Sequence, residues 1–260
     1  MPPGIAGSAD RGLPDRVPAP HPPLVRYYDS EAQRRDWIRN IFDHAAVDYD
    51  RVERLLGLGT GSWYRRRALR RAGLMRGMRV VDVGTGTGLV ACEAAALAGD
   101  PALVVGVDPS VGMVAHARVP AGLRLLPGTA EAIPLPDGSV DFLSMGYALR
   151  HISDLAAAFA EFHRVLCPGG RLCILEITQP ESAAGRACLK FYLRGAVPAI
   201  AALVSRHPET PKLMRYYWDT IAACVPPAFI LQALSEAGFI DVDRHREAAV
   251  FSEYRAGKPA

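Results

Sequence analysis

Between Glu31 and Leu74 apolar residues recur at the spacing of one helical face: Trp37, Ile38, Ile41 and Phe42, then Val52, Leu55 and Leu56. This pattern predicts two or three helices ahead of the main fold, with a turn at Gly57–Gly61. From Arg79 the period changes. Short β-rich runs at Arg79–Val83, Ala102–Val107, Leu123–Leu126, Val140–Met145 and Arg171–Glu176 alternate with helical stretches, the mark of successive βα units and a largely parallel sheet. A stretch reaching Val225 then reads helical at Leu189–Val204 and Leu213–Ala223. A helix at Ala228–Ala237 follows, with strands near Ile240–Val242 and Ala248–Tyr254. The expected fold class is α/β. Residues 26–260 form one domain, with 31–74 as an N-terminal helical cap and 177–226 as a helical insertion placed to cover a substrate.

Composition narrows the class. Half of the 260 residues are apolar and 22% are charged, which excludes a wholly disordered chain, a collagen-like repeat and a disulfide miniprotein. Residues 1–25 carry seven prolines and no apolar run, so they are expected to be a disordered tail, not a secretory signal. Five scattered cysteines without a Cys-x-x-Cys pair point to reduced thiols in the cytoplasm and to no metal site. A net charge of +3 is small for a nucleic-acid binder, and none is expected as a partner. The arginines at 65, 66, 67, 70, 71, 76 and 79 read as a solvated helix face, or as one near a membrane. The longest apolar stretch, Gly195–Val204, is about half of a membrane span.

The chemistry concentrates in Val80-Val81-Asp82-Val83-Gly84-Thr85-Gly86-Thr87-Gly88, an apolar run ending in three alternating glycines and opening into a helix at Leu89–Leu97. Glycines without a Cβ let a ligand approach the backbone at the C-terminal edge of a sheet. Twenty residues after Gly88 a second strand ends in Asp108, where a carboxylate accepts both hydroxyls of a ribose. A pyrophosphate site wants a small residue at the third glycine position, where this chain has Leu89. Asp82 beside the loop repels a phosphate and suits a cationic ligand. Asp-x-Gly-x-Gly-x-Gly resembles the first motif of class I S-adenosyl-L-methionine methyltransferases, which implies a Rossmann-like class I methyltransferase sheet.

The rest of the chain resembles one branch of that superfamily, the ubiquinone/menaquinone biosynthesis C-methyltransferases. The likeness begins at Ile41-Phe42-Asp43-His44-Ala45-Ala46-Val47-Asp48-Tyr49-Asp50 and continues through Arg54-Leu55-Leu56-Gly57-Leu58-Gly59 and Trp63. It includes Gly128-Thr129-Ala130-Glu131-Ala132-Ile133-Pro134-Leu135-Pro136-Asp137, Ala148-Leu149-Arg150-His151, and Arg164-Val165-Leu166-Cys167-Pro168-Gly169-Gly170-Arg171. Tyr216, Ile221, Pro226, Glu236-Ala237-Gly238-Phe239 and Arg255-Ala256-Gly257-Lys258 complete it. Motif I and Pro-Gly-Gly are superfamily-wide; the N-terminal segment and Leu-Arg-His are more discriminating. The chain departs from the family at Thr129, Glu53, His151, Ala249 and Ser252-Glu253-Tyr254, which bears on the substrate more than on the cofactor.

The resemblance implies S-adenosyl-L-methionine as cofactor, contacted by Thr87, Asp108, Thr129, Ala130 and Gly146, with Asp82, Gly84, Gly86 and Gly88 forming the loop. It implies an aromatic or quinol acceptor, with Arg150 stabilising a phenolate or orienting water. His151 reads as the proton acceptor, or as a helix cap in a hydrogen-bond network. Tyr49, Tyr147 and Tyr216 line the acceptor or pack in the core. Two rival readings stay open: C- or O-methylation of a soluble aromatic or polyketide metabolite, and a non-catalytic S-adenosylmethionine-binding partner. Peripheral membrane contact along Leu189–Val204 and a homodimer are both compatible with the sequence.

Overall fold

A computed structural model describes residues 19–56 and 60–260, the side chains of Glu31, Leu55 and Leu56 excepted. The tail at 1–18 and the turn at 57–59 lie outside the described residues. Seven strands form one sheet: β1 (Val80–Val83), β2 (Val104–Asp108), β3 (Arg124–Pro127), β4 (Val140–Gly146), β5 (Leu166–Ile177), β6 (Ile240–Glu247) and β7 (Phe251–Gly257). Their order is β3-β2-β1-β4-β5-β7-β6. β1 to β5 are parallel, and β7 pairs antiparallel with both β5 and β6.

Both faces of the sheet are covered, so its central strands read as continuous apolar runs. Side chains alternate across the pleat. Val81, Val83, Leu143, Met145, Leu172 and Ile174 enter one cluster with Phe159 and Phe162 of α5 (Leu155–Val165) and Leu234 of α9 (Pro227–Glu236). Val80, Phe142, Cys173 and Leu175 enter the other with α2 (Gly61–Arg71) and α3 (Leu89–Ala98), through Leu69, Ala91 and Ala94.

A third cluster lies off the sheet. It joins α1 (Glu31–Leu56), α7 (Val197–Val204) and α8 (Thr210–Ala223) through Ile41, Ala45, Val197, Ala201, Leu213 and Tyr216. The short α4 (Val111–His116) follows β2, and α6 (Ala183–Phe191) runs through a wide π turn at Tyr192–Ala196 into α7. The cap is one 26-residue helix followed by α2. The continuous helical segment Ala183–Val204 is 22 residues long, twice the apolar stretch read from Gly195.

The segment expected to extend the tail through residue 25 is anchored at Pro20 and His21. The Pro20 carbonyl accepts the Val225 N–H at 2.7 Å, and His21 is buried beside Arg34. The arginine run is also more structural than its pattern suggests. Arg65 pairs with Glu53, Arg66 with Glu93, Arg71 with Glu247 and Glu253, and Arg79 with Asp141.

Candidate functional site

The strand order reverses between β1 and β4, and an open α/β sheet holds its ligand at the carboxyl ends of the strands flanking such a point. A cavity of about 400 Å³ lies there, within the usual range for small-molecule sites. Gly84 and Gly86 from the loop after β1, Asp108 from β2 and Gly146 and Tyr147 from the end of β4 all line it.

The loop is built from beneath by Asp82. Its carboxylate accepts the Ser144 hydroxyl across the β1–β4 register at 2.7 Å and the Thr85 hydroxyl at 2.7 Å. Burial pushes the Asp82 carboxyl up to about 6, against the two hydroxyl donors that pull it down. The Gly84 and Thr85 N–H groups both donate to the Val107 carbonyl at the end of β2, folding the loop across the strand ends. Gly86 has φ +55, and a Cβ built there meets no protein atom within 4 Å. The open volume beside that backbone is the cradle of an approaching ligand.

Asp108 closes the other side. Its two carboxylate oxygens accept the Gly86 N–H at 2.7 Å and the Ser110 N–H at 2.8 Å. Burial raises its carboxyl, and those two N–H groups oppose the rise. Each oxygen keeps a lone pair for a ribose hydroxyl. Thr129 and Ala130 form the wall beyond it.

The N-terminal signature acts through its aspartates. On α1, Asp43 accepts the Ser110 hydroxyl and the Gly112 N–H, and Asp50, two turns on, accepts the Thr87 hydroxyl at 2.6 Å. Asp48 accepts the Arg206 and His207 N–H groups between α7 and α8. One helix is thereby tied to the glycine loop at Thr87, to the segment after β2 at Ser110 and Gly112, and to the insertion.

That helix brings Phe42 and Tyr49 to the cavity opposite His151 and Tyr217. The Phe42 ring meets the His151 ring edge-on at 5.2 Å, and Tyr216 stacks behind His151 at 5.6 Å. Burial raises both the Tyr49 and the Tyr217 hydroxyls above the ordinary tyrosine range. Tyr147 holds φ 60, a left-handed conformation that a bulky residue adopts only where its surroundings fix it. Its N–H donates to the Leu175 carbonyl at 2.7 Å.

His151 has both ring nitrogens buried and without a hydrogen-bond partner among the described residues. Burial, then the charges of Arg150, His21 and Arg34, hold its imidazole well below the ordinary histidine range. It is neutral at physiological pH, and an unpaired buried polar group facing a cavity calls for a ligand partner.

Sequence expectation and structure part at several residues. Gly84, Gly86, Asp108, Thr129, Ala130, Gly146, Tyr49, Tyr147 and His151 share the cavity wall, whereas Asp82, Thr87, Gly88, Arg150 and Tyr216 are not among its lining residues. Asp82, Thr87 and Gly88 shape the loop: Gly88 caps α3 at φ 88. The Arg150 guanidinium is buried in an ion pair with Glu176 and donates to the Thr220 hydroxyl at 3.1 Å. His151 is no helix cap, because neither ring nitrogen is engaged. Tyr216 is fully buried in the cap cluster, and its neighbour Tyr217 takes the cavity position. Glu253 on β7 meets Arg71, away from the cavity. In the sequence Phe42 reads as an apolar helical-face position within a motif, and Tyr217 carries no separate signal.

The glycine loop, the strand-end carboxylate and the helical cover constitute the site of a class I S-adenosylmethionine-dependent methyltransferase, and the chain has that fold. It covers 84% of its own length and 98% of a Thermotoga maritima S-adenosylmethionine-dependent methyltransferase at a TM-score of 0.59 and 23% identity. An Aquifex aeolicus methyltransferase superposes with a TM-score of 0.56 and 20% identity, over 80% of this chain and 97% of the other. The chain belongs to the ubiE/COQ5 methyltransferase family, whose model matches residues 28–254. It is 37% identical over 181 residues to the ubiquinone/menaquinone biosynthesis C-methyltransferase of Geobacter sulfurreducens, over 67% of this chain and 71% of the relative. It is 36% identical to a demethylmenaquinone methyltransferase of Chlorobaculum tepidum, over 68% and 74% of the two chains. The Coxiella burnetii C-methyltransferase is 29% identical over 82% of this chain and 87% of its own.

Proposed function

We propose that the protein methylates a ring carbon of a quinol or related phenol, with His151 as the group that receives the phenolic proton. The observation that carries this reading is the His151 ring, buried, neutral and unpartnered, in the wall of the cavity that also contains Gly86 and Asp108. The names of the relatives, which concern ubiquinone and menaquinone, support the acceptor class.

S-adenosylmethionine, when bound, supplies an electrophilic methyl group on a sulfonium. The residues present fit it: Asp108 offers acceptor lone pairs to ribose hydroxyls, Gly86 leaves room against the backbone, and Thr129 and Ala130 flank the base. Phe42, Tyr49 and Tyr217 offer aromatic walls to a flat acceptor and exclude water. The neutral His151 nitrogen accepts a hydrogen bond from the acceptor hydroxyl and takes its proton, pushing electron density onto the ortho carbon; once that carbon has gained the methyl, its own hydrogen leaves as a proton to solvent and the aromatic ring is restored. General-base help of this kind is worth roughly 10²–10⁴ in rate. Arg150 acts from behind: its guanidinium lies over the Tyr217 ring at 5.5 Å, so it positions that ring instead of meeting the acceptor. The same reading places the enzyme in the cytoplasm, working on an acceptor drawn from a bilayer.

The test is incubation of the purified chain with labelled S-adenosylmethionine and a panel of prenylated quinols, short-chain quinols and simple phenols, the new methyl being located by NMR. Ring methylation of a quinol that falls at least a hundredfold in His151→Ala supports the reading. Methyl on oxygen, or no ring-methylated product from any quinol or phenol, sinks the acceptor assignment; full turnover by the variant sinks the base.

A further inference from the structure

The segment Ala183–Val204 is long and apolar enough, by length and composition, to cross a membrane, yet only 17% of its most apolar window is buried. One stripe fixes it to the fold. Leu193, Val197 and Ala201 are buried in the cap cluster with Ile41 of α1 and Leu213 of α8. A crossing orientation would strip that stripe from its partners, so the segment lies along the protein. The remaining surface presents Phe191 at 75% exposure, Leu203 at 86%, and Ile200.

Charge frames this ridge with one sign. Between 183 and 204 there is no acidic residue. Arg186 and Lys190 are exposed at one end, and Arg206 is exposed just past the other, where Arg51 donates to the Val204 carbonyl at 3.0 Å. The nearest acids are engaged: Asp219 of α8 pairs with Arg194 of the segment and with Arg26, Glu181 with Arg246, and Glu209 with Lys212. A two-fold contact between copies, parallel or antiparallel, would set these cations against cations. An anionic lipid surface instead matches both features, with apolar side chains entering the acyl boundary and cations meeting head groups.

We propose that the Phe191–Leu203 ridge docks the protein on an anionic bilayer surface. The chemistry of the ridge alone carries the docking; that the bilayer delivers the methyl acceptor rests on the quinol reading above. The packed α7–α8 pair connects this surface to the cavity, because α8 contributes Tyr217 to the acceptor wall.

The full chain is co-sedimented with phosphatidylcholine vesicles and with vesicles that also contain phosphatidylglycerol. Binding to the anionic vesicles is expected, weakened by salt. Phe191→Glu with Leu203→Glu should lower it at least tenfold. Lys190→Glu with Arg206→Glu should lower it by more than about fivefold per cation, since each basic residue near such a surface contributes about that factor. Both variants should retain the parent's thermal unfolding midpoint and its turnover of a soluble short-chain quinol. Absence of binding by the parent, or unchanged binding by both variants, overturns the proposal. So does a parent dimer in light scattering that the Phe191/Leu203 variant converts to monomer, because the ridge then belongs to a second copy. Vesicle binding without quinol turnover would sustain the docking and overturn the acceptor assignment alone.

Discussion

The Arg150 guanidinium and the Glu176 carboxylate form an ion pair in which each side chain is 2% exposed. Glu176 also accepts the Ile177 N–H at 2.8 Å, and the Arg150 Nε–H donates to the Thr220 hydroxyl oxygen of α8. The pair therefore locks β5, the turn after β4 and the insertion together beneath the acceptor end.

Breaking that pair from one side strands a buried charge. Glu176→Gln is expected to lower unfolding free energy by about 3–5 kcal/mol, whereas Arg150→Met combined with Glu176→Leu should recover most of the loss. Urea titration of the two single variants and the double variant measures this. Additive losses would show that the two side chains do not act as a pair.

His151 gives the stability curve an acid limb. Its folded pKa lies well below the ordinary histidine value of about 6.5, so below pH ~6.5 the unfolded chain binds a proton that the native chain refuses. Its stabilising contribution is complete above 6.5 and is lost as pH falls toward the folded value. His151→Phe should flatten that limb in urea titrations between neutral and acid pH. In the wild type, turnover at saturating substrate should show no step near 6.5. A histidine-like step there would contradict the buried, neutral ring.

Asp82 acts with the opposite sign. Its carboxyl is raised from 3.8 to about 6, so the native chain holds a proton that the unfolded chain has released. Stability from this group is complete below 3.8 and is lost as pH rises through about 6, a change on the order of 3 kcal/mol. Asp82→Asn should remove this slope. It also leaves the Ser144 and Thr85 hydroxyls to share one acceptor oxygen, which loosens the loop and weakens S-adenosylmethionine binding about tenfold by calorimetry. A variant with the wild-type pH slope would place the titration elsewhere.

The loop and the strand-end carboxylate give separable binding defects. Gly86→Ala meets no protein atom and strains a positive φ by about 1 kcal/mol, so the fold survives while the methyl enters the ligand cradle. Asp108→Ala removes the acceptor of two N–H groups and of the ribose hydroxyls, an expected loss of roughly 10–100-fold in cofactor affinity. Calorimetric titration with S-adenosylhomocysteine checks both. Unimpaired binding in either variant would remove that residue from the cofactor site.

The alternation of short apolar strands and helices, with motif I at the first strand end, already determined a largely parallel sheet and the strand edge that holds the ligand; the strand order came only with the tertiary structure. These follow from local period and from the backbone freedom of glycine, which a sequence displays directly. Gly84, Gly86 and Asp108 were legible for the same reason, since a strand end fixes where its next residue lies. Direction around a helix and pairing across the chain were not. Tyr216 and Tyr217 differ by one residue, about 100° on α8, and only its packing against α1 decides that Tyr216 enters the core and Tyr217 the cavity. Arg150 and His151 are likewise adjacent, yet Glu176 draws one beneath the site and the cavity receives the other. Glu176 is 26 residues away in sequence, and a buried charge goes wherever the fold supplies its counter-ion. The resemblance placed a role at Arg150, and His151, a departure from the family, read as the proton acceptor; tertiary structure alone put His151 in the cavity wall and Arg150 beneath it.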